Sequence, residues 1–141
     1  MGKIVNSSLA GRLEGKFGQG AIRSDETSDM LNVYADRKIN VELVKFLFDD
    51  PEFQFQFLTD ICGVHFPDRK GAELEVVYHI HSFVNNHRIR IKFALPSEDP
   101  TIRTLTGVYA GANWMERETF DFYGIWFASF TSFMVHSFVL F

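Results

Sequence analysis

The segment "ELEVVYHIHSFVNNHRIRIKFAL" (residues 73–95) decides the fold of this chain. Apolar residues occupy every second position on both sides of Asn85-Asn86, which is the period of a β-strand with one buried face. Asn tolerates positive φ, so Asn85-Asn86 predicts a two-residue type I′ turn between antiparallel strands. That turn fixes the register and places three apolar pairs on one face: Ile80 with Ile91, Tyr78 with Phe93, and Val76 with Leu95.

The sequence before this hairpin predicts two helices. Apolar residues at four-residue spacing predict a helix over residues 6–17. Residues 41–50 place four apolar side chains on one helical face, and Asn40 is the predicted N-cap. Pro51 prevents simple continuation of this second helix.

Further strands and loops follow from the same patterns. Residues 30–35 alternate as a strand does, whereas the polar residues 18–29 predict a loop. Phe alternates with polar residues over 53–57, which favours either a strand or a short helix that feeds a strand over 59–66. After the hairpin we expect a connector with one helical turn at 102–108.

These elements predict an α+β fold, a small antiparallel or mixed sheet with the hairpin at its centre and helices packed on one face. At 141 residues the chain is long enough for one domain with its own core, which we assign to residues 1–127. Residues 128–141 form an atypical apolar tail without charged residues.

Composition excludes several functional classes. The net charge of −4 gives no basic footprint, so nucleic acid is not an expected partner. A single cysteine, Cys62, excludes an internal disulfide framework, and its apolar neighbours predict an inert buried thiol. The N-terminal residues lack the apolar core of a signal peptide, so we expect the protein to remain in the cytosol or an equivalent space.

The segment "NWMERETFDFYGIWF" (residues 113–127) holds the densest cluster of charges and aromatic rings. It predicts a helix that Asn113 and Glu116 cap as a capping box and that Gly124 ends. Glu116 and Glu118 point about 200° apart on a helix and cannot share a substrate, whereas Arg117 and Asp121 have the spacing of a surface ion pair. We expect an apolar side made of Trp114 and Phe122, with Met115 and Ile125, and a charged side that is solvated or docks on a partner.

Histidines suggest an alternative function. His79 and His81 lie two apart on one strand face, and zinc binding there would make the chain a stand-alone metal-dependent protein that uses both histidines and Glu116. His65 and His87 are further candidates. The predicted hairpin register argues against a metal, because it places Lys92 opposite His79 and Arg90 opposite His81. We therefore expect no catalytic, cofactor or metal residues in this chain.

Residues 40–127 closely resemble the C subunit family (the thirty-kilodalton subunit family) of proton-pumping NADH:quinone oxidoreductase, respiratory complex I. The resemblance rests on "NWMERETFDFYGIWF", "FLTDICGVHFPDR", "FLFDDPEF" and "LEVVYHIHSFVNNHRIRIKFALPSEDPTI". It implies a peripheral-arm subunit that docks through the family signature at Trp114, Glu116, Arg117, Glu118, Asp121 and Gly124.

The resemblance also implies partners and a location. The partners would be the quinone-site subunit (the D subunit, also called the forty-nine-kilodalton subunit) and the B-like and I-like iron–sulfur subunits. NADH, FMN, iron–sulfur clusters and quinone would belong to the whole complex. The subunit would be peripheral on the cytoplasmic side of the inner membrane, or on the matrix side in mitochondria, and would meet the membrane only through the complex. Membrane-bound hydrogenases, F420H2 dehydrogenase and the plastid NDH complex use related subunits.

The sequence departs from the family after Phe127. Members continue with a Gly-His-Pro run and a polar extension, whereas this chain has "ASFTSFMVHSFVLF". The loss of charge leads us to expect a truncated, frameshifted or diverged terminus.

Overall fold

The computed structural model describes residues 5–18, 20–28 and 30–128. Within them are three α-helices and a short 3-10 turn at Arg37–Ile39. The helices are α1 (Asn6–Phe17), α2 (Asn40–Asp49) and α3 (Ala112–Tyr123). The strands are β1 (Ile22–Thr27), β2 (Met30–Ala35), β3 (Phe57–His65), β4 (Leu74–Ser82), β5 (His87–Leu95), β6 (Thr101–Arg103) and β7 (Trp126–Ala128).

Five strands form the main sheet in the order β1-β2-β5-β4-β3. The pair β2–β5 is parallel and the other three neighbouring pairs are antiparallel, so the sheet is mixed. Strands β6 and β7 form a separate parallel pair. The predicted α+β class, with the β4–β5 hairpin inside the sheet and helices on one face, is confirmed.

Alternation along the strands gives the sheet two different faces. One face is apolar and packs with side chains from all three helices in a single core. The opposite face, which we call the open face, carries mostly polar side chains such as Arg90, Lys92, His79 and His81. The core residues that the five strands of the main sheet contribute are Ile22, Leu31, Val33, Leu58, Ile61, Leu74, Val76, Tyr78, Ile80, Ile89, Ile91, Phe93 and Leu95.

The predicted register of the central hairpin is wrong by two residues. Ile80 lies opposite Ile89, not Ile91, and Tyr78 lies opposite Ile91. The connection is therefore the four-residue loop 83–86, in which only Asn86 has positive φ, at 49°. Because side chains alternate with a period of two, a shift of two residues leaves every side chain on its predicted face. The cross-strand neighbour of His79 becomes Arg90, and that of His81 becomes Arg88.

Asn85 supplies the physical reason for this longer loop. Its buried side chain donates from Nδ2 to the carbonyl oxygens of Glu52 and Phe53, each at 2.9 Å, and to the hydroxyl of Ser82 at 3.0 Å. A two-residue turn would need Asn85 at its exposed tip. The bonds to residues that lie far away in sequence therefore determine the loop.

The segment before β3 mixes correct and wrong predictions. Phe53 and Phe55 are fully buried, as the alternation suggests, but they lie in an irregular connection where Gln54 has a φ of 48°. Regular pairing begins only at Phe57, whose side chain is largely exposed. The strand is therefore longer than the alternative prediction over 59–66 and starts earlier.

Three other local predictions are corrected. Part of the expected loop 18–29 forms β1, which pairs with β2 at the edge of the sheet. Most residues of β1 are exposed, so they can be polar and do not show the apolar alternation of a buried strand. Asn40 is the first residue of α2, not its N-cap, and its buried side chain donates to the carbonyl oxygen of Arg103 at 2.7 Å. The helical turn expected at 102–108 is confined to the end of that range, because Thr101–Arg103 form β6 and the Tyr109 amide donates back to the carbonyl oxygen of Leu105, at 2.8 Å.

The predicted tail at 128–141 lies outside the described residues apart from Ala128, which ends β7. The domain assignment to residues 1–127 stays a prediction.

Asn85→Ala is expected to lower the free energy of unfolding by about 2–3 kcal/mol, because buried carbonyl oxygens lose their donor. Urea denaturation of the full chain measures this effect. Val84→Ala, on an exposed neighbour in the same loop, serves as the control and should change stability by less than about 0.5 kcal/mol. Equal losses in the two variants would contradict the anchoring role of Asn85.

Candidate functional site

Helix α3 carries all but one of the residues that the sequence predicts for docking. It begins at Ala112 after Gly111, two residues before the start that an N-cap at Asn113 predicts, and Asn113 makes no capping hydrogen bond. Gly124 follows the helix with a φ of 71°. Its amide donates to the carbonyl oxygen of Phe120 at 2.8 Å. This left-handed conformation is common for Gly after a helix and rare for other residues, so the predicted stop at Gly124 is confirmed.

The capping-box prediction for Glu116 is wrong, because this side chain points into the protein. Glu116 is only 6% exposed. Its carboxylate accepts a hydrogen bond from the Thr104 hydroxyl at 2.5 Å and from the Leu105 amide at 2.8 Å. Glu116 therefore ties α3 to the segment that follows β6.

Burial governs the charge of this cluster. Desolvation raises the pKa of Glu116, while the hydrogen bonds from Thr104 and Leu105 oppose that rise. The phenol of Tyr78 is fully buried near by, and its pKa is raised first by burial and then by the negative charge of Glu116. The two hydrogen bonds partly offset the cost of burying the Glu116 charge, so this carboxylate has a structural role.

The outer face of α3 exposes charges and large aromatic rings together. Trp114 is 70% exposed and Phe122 is 82% exposed, so the predicted apolar side that these two residues form faces solvent. Between them, Arg117 Nε lies 3.3 Å from Asp121 Oδ1 in the predicted ion pair, and Glu118 is exposed beside it. The buried side of α3 instead comprises Ala112, Glu116 and Thr119, with Met115 partly buried.

The end of α3 is seated on strand β3 at a position without a side chain. A Cβ atom on Gly63 would lie 2.5 Å from Cδ2 of Tyr123, which is closer than two carbon atoms can approach. Gly63 therefore allows the Tyr123 ring to pack directly against the strand, and this contact sets how far α3 stands from the sheet.

A groove of about 440 Å³ lies between α3 and β7. The rings of Phe120 and Trp126 meet edge to face in it, with centroids 5.5 Å apart. Asn113, Glu116, Arg117 and Phe127 complete the lining. The groove continues the exposed face of α3, so both belong to one candidate surface.

The structure does not assemble the predicted set of His79, His81 and Glu116. The two histidines lie on the open face, and Glu116 lies on the helical side with Tyr78, so the sheet separates them. His65 lies at the exposed end of β3, and His87 contacts Asn6, with Nε2 2.6 Å from Oδ1.

His79 instead meets residues that the sequence prediction did not include. Its Nδ1 lies 2.6 Å from Oδ1 of Asp60, and Cys62 is next to Asp60 on the same face. Cys62 is half-buried and not fully buried as expected. Desolvation and the charge of Asp60 raise the pKa of its thiol. The sequence signal was the spacing of Asp60 and Cys62 in β3, which is informative only once the β3–β4 register is known.

Two solved structures share this fold. The trypsin-resistant fragment (1-134) of Nqo5 superimposes with a TM-score of 0.73 at 28% identity, over 86% of this chain and 96% of that one. A chain of the membrane-bound sulfane sulfur reductase, an archaeal respiratory membrane complex, superimposes with a TM-score of 0.73 at 17% identity, which shows the fold alone. It covers 87% of this chain and 70% of that chain.

Sequence relatives give the particular family. The model of "Respiratory-chain NADH dehydrogenase, 30 Kd subunit" matches residues 33–132. The C subunit of NADH-quinone oxidoreductase from Roseiflexus sp. is 40% identical over 88% of this chain and 71% of its own length. The corresponding C subunit from Mycolicibacterium gilvum is 44% identical over 75% of this chain and 45% of its own length. The chain belongs to the family of the "30 Kd subunit" of respiratory-chain NADH dehydrogenase.

Glu116→Gln is expected to remove the charge and keep both contacts, with the side-chain oxygen accepting from the Leu105 amide and the side-chain NH2 donating to the Thr104 hydroxyl. The raised pKa means that ionised Glu116 lowers folded-state stability once the pH rises above its folded pKa, whereas protonated Glu116 does not. The gain in unfolding free energy of Glu116→Gln over the natural chain should therefore be larger at about pH 7 than at about pH 4.

Glu116→Ala is the comparison variant in the same denaturation experiments. It should be less stable than Glu116→Gln at both pH values, because the Thr104 hydroxyl and the Leu105 amide lose their acceptor. A pH-independent gain in Glu116→Gln would contradict the assigned burial of the charge.

Proposed function

We propose that this chain is a structural subunit of the peripheral arm of proton-translocating NADH:quinone oxidoreductase. In this role it supports electron transfer from NADH to quinone by docking to the D-type quinone-site subunit and to the B-like and I-like iron–sulfur subunits. Family membership supports the assignment to this class of complex. The observation that carries the docking role is the exposed face of α3.

The aromatic rings on this face favour a protein partner. Trp114 and Phe122 expose most of their surfaces to solvent on a helix of twelve residues. Trp, Tyr and Arg are enriched in the residues that dominate binding energy at protein interfaces. Burial of these rings against a partner would contribute favourable free energy that the isolated chain lacks.

The charges on the same face fit a specific contact. Trp114, Arg117, Glu118 and Asp121 recur at helical spacing and so share one side of α3. In the isolated chain the Arg117–Asp121 pair is solvated and contributes little to stability. When a partner covers this face, like charges placed against the pair are unfavourable and opposite charges are favourable. The pair therefore favours one orientation and one kind of partner.

The redox groups of the reaction are assigned to other subunits. An iron–sulfur cluster takes four ligands, usually cysteine thiolates, and this chain has one cysteine. We therefore propose that NADH, FMN, the iron–sulfur clusters and quinone bind elsewhere in the complex. No helix among the described residues is both long and apolar enough to cross a membrane. We propose that the chain meets the membrane only through its partners, on the cytoplasmic side or the mitochondrial matrix side.

A related respiratory complex is the second candidate host. The sulfane sulfur reductase chain has the same fold, so this fold serves in more than one respiratory complex. Membrane-bound hydrogenase, F420H2 dehydrogenase and plastid NDH are the complexes of this kind that we consider. The 40% identity to the NADH-quinone oxidoreductase relative, against 17% for the reductase chain, makes NADH:quinone oxidoreductase the better-supported host.

Affinity purification of the tagged full chain from its own host tests the proposal. We expect the quinone-site and iron–sulfur subunits to co-purify, with NADH:quinone reductase activity in the isolated complex. Co-purification with hydrogenase or sulfur reductase subunits would select the second host. Purification of the chain without redox subunits would contradict the structural role.

The double variant Trp114→Ala/Phe122→Ala is expected to reduce the amount of co-purified complex at least tenfold, since buried aromatic anchors contribute about 2 kcal/mol or more each. The isolated chain should keep its thermal stability, because both rings are exposed. Phe83→Ala removes a ring that is 69% exposed outside α3, and this control should assemble normally.

Arg117→Ala is expected to weaken assembly more than folding. Loss of a desolvated charge at an interface costs about 2–5 kcal/mol, whereas the exposed pair contributes about 0–1 kcal/mol to the isolated fold. Unfolding curves and co-purification yields measure the two effects. If folding and assembly weakened equally, the charges would be structural and not docking groups.

A further inference from the structure

We propose that Asp60, Cys62 and His79 form a zinc-binding site on the open face of the sheet. Among the described residues, these three provide the one group in which an oxygen, a sulfur and a nitrogen atom all lie within 4.8 Å of one another. The site is separate from α3, so it does not depend on the proposed docking function.

A β-bulge creates this cluster. Leu58 lies opposite Ile80, but the next pair is Asp60 with His79, so Thr59 is an extra residue in β3. Without the bulge, Thr59 would lie opposite His79 and Asp60 would point into the apolar core beside Tyr78. The extra residue turns Asp60 and Cys62 to the face that His79 occupies. Bulges commonly re-aim side chains in this way next to functional sites.

The ligand set matches the preferences of zinc. Zinc binds cysteine sulfur, histidine nitrogen and carboxylate oxygen at about 2.0–2.3 Å in tetrahedral sites, so neighbouring ligand atoms lie roughly 3.3–3.8 Å apart. The Sγ of Cys62 is 3.8 Å from Oδ2 of Asp60, which is already suitable. The 2.6 Å contact between Nδ1 of His79 and Oδ1 of Asp60 must lengthen by a rotation of the exposed carboxylate. Asp60 borders solvent, so water can take the fourth position.

The basic residues of β5 do not block this position. Arg90 lies opposite His79 in the register, but its Nε approaches Sδ of Met30 at 3.1 Å, on the side away from β3. Lys92 lies two residues from Arg90 on the same face, and its Nζ sits 5.4 Å from the ring centroid of Tyr34 in β2. Both side chains therefore lean away from the cluster, which removes the electrostatic objection that the sequence raised.

The thiol makes binding dependent on pH. Cys62 must lose its proton to bind the metal as a thiolate. Binding of zinc would release this proton, so affinity should increase with pH. Magnesium and calcium prefer oxygen ligands only and should not compete.

Cobalt(II) titration of the full chain tests the site, because thiolate-bound cobalt absorbs in the near ultraviolet. We expect one cobalt per chain, displacement by zinc but not by magnesium, and tighter binding as the pH rises. Cys62→Ser should abolish the band, and His79→Ala and Asp60→Asn should each weaken binding at least tenfold. His81→Ala is the matched control, since His81 lies two residues along β4 on the same face and outside the cluster.

Alkylation of Cys62 gives a second readout that needs no variant of the thiol. Zinc should slow alkylation in the natural chain and in His81→Ala, but not in His79→Ala. Circular dichroism of each metal-free variant checks that the fold is retained. The proposal is overturned if the natural chain shows no saturable cobalt band, or if folded His79→Ala and Asp60→Asn bind as tightly as the natural chain.

Discussion

The two-residue alternation of β4 and β5 is the constraint on which the rest of this structure depends. It directs Val76, Tyr78 and Ile80 toward the helices and His79 and His81 toward the open face. Every surface with functional interest is defined by that division. Helix α3 packs on one side of the sheet, and the Asp60–Cys62–His79 cluster lies on the other. The direction of each side chain along these strands thus decides whether it lies on the helical side or on the open face.

The parts of the fold that depend on local sequence patterns were predictable. The strand period, the helices at 6–17 and 41–50 and the stop at Gly124 depend on neighbouring residues only. The register of the hairpin was not predictable, because the amide of Asn85 bonds to backbone carbonyls more than thirty residues away. Strand β1 was missed for a similar reason, since an exposed edge strand has no apolar alternation to reveal it.

The candidate site shows the same limit. The pattern of α3 gave the Arg117–Asp121 pair, but it could not show which acid is buried. Glu116 was assigned to a cap because its spacing from Asn113 fits one, whereas Thr104 and Leu105 compete for its carboxylate in the folded chain. A tertiary contact therefore overrode a local motif. As a result, Trp114 and Phe122 project outward, and the exposed face of α3 is more aromatic than the sequence suggested.

Neighbouring residues of strand β3 take part in both the α3 side of the sheet and the proposed zinc site. Cys62 faces the open side, and Gly63, the next residue, receives the Tyr123 ring on the helical side. A side chain at position 63 would have to displace the Tyr123 ring or the end of α3, the helix that carries Trp114 and Arg117. Under the proposed docking role, position 63 would therefore influence assembly although it lies beneath the exposed helix. A substitution that weakens the proposed assembly need not lie at a subunit boundary.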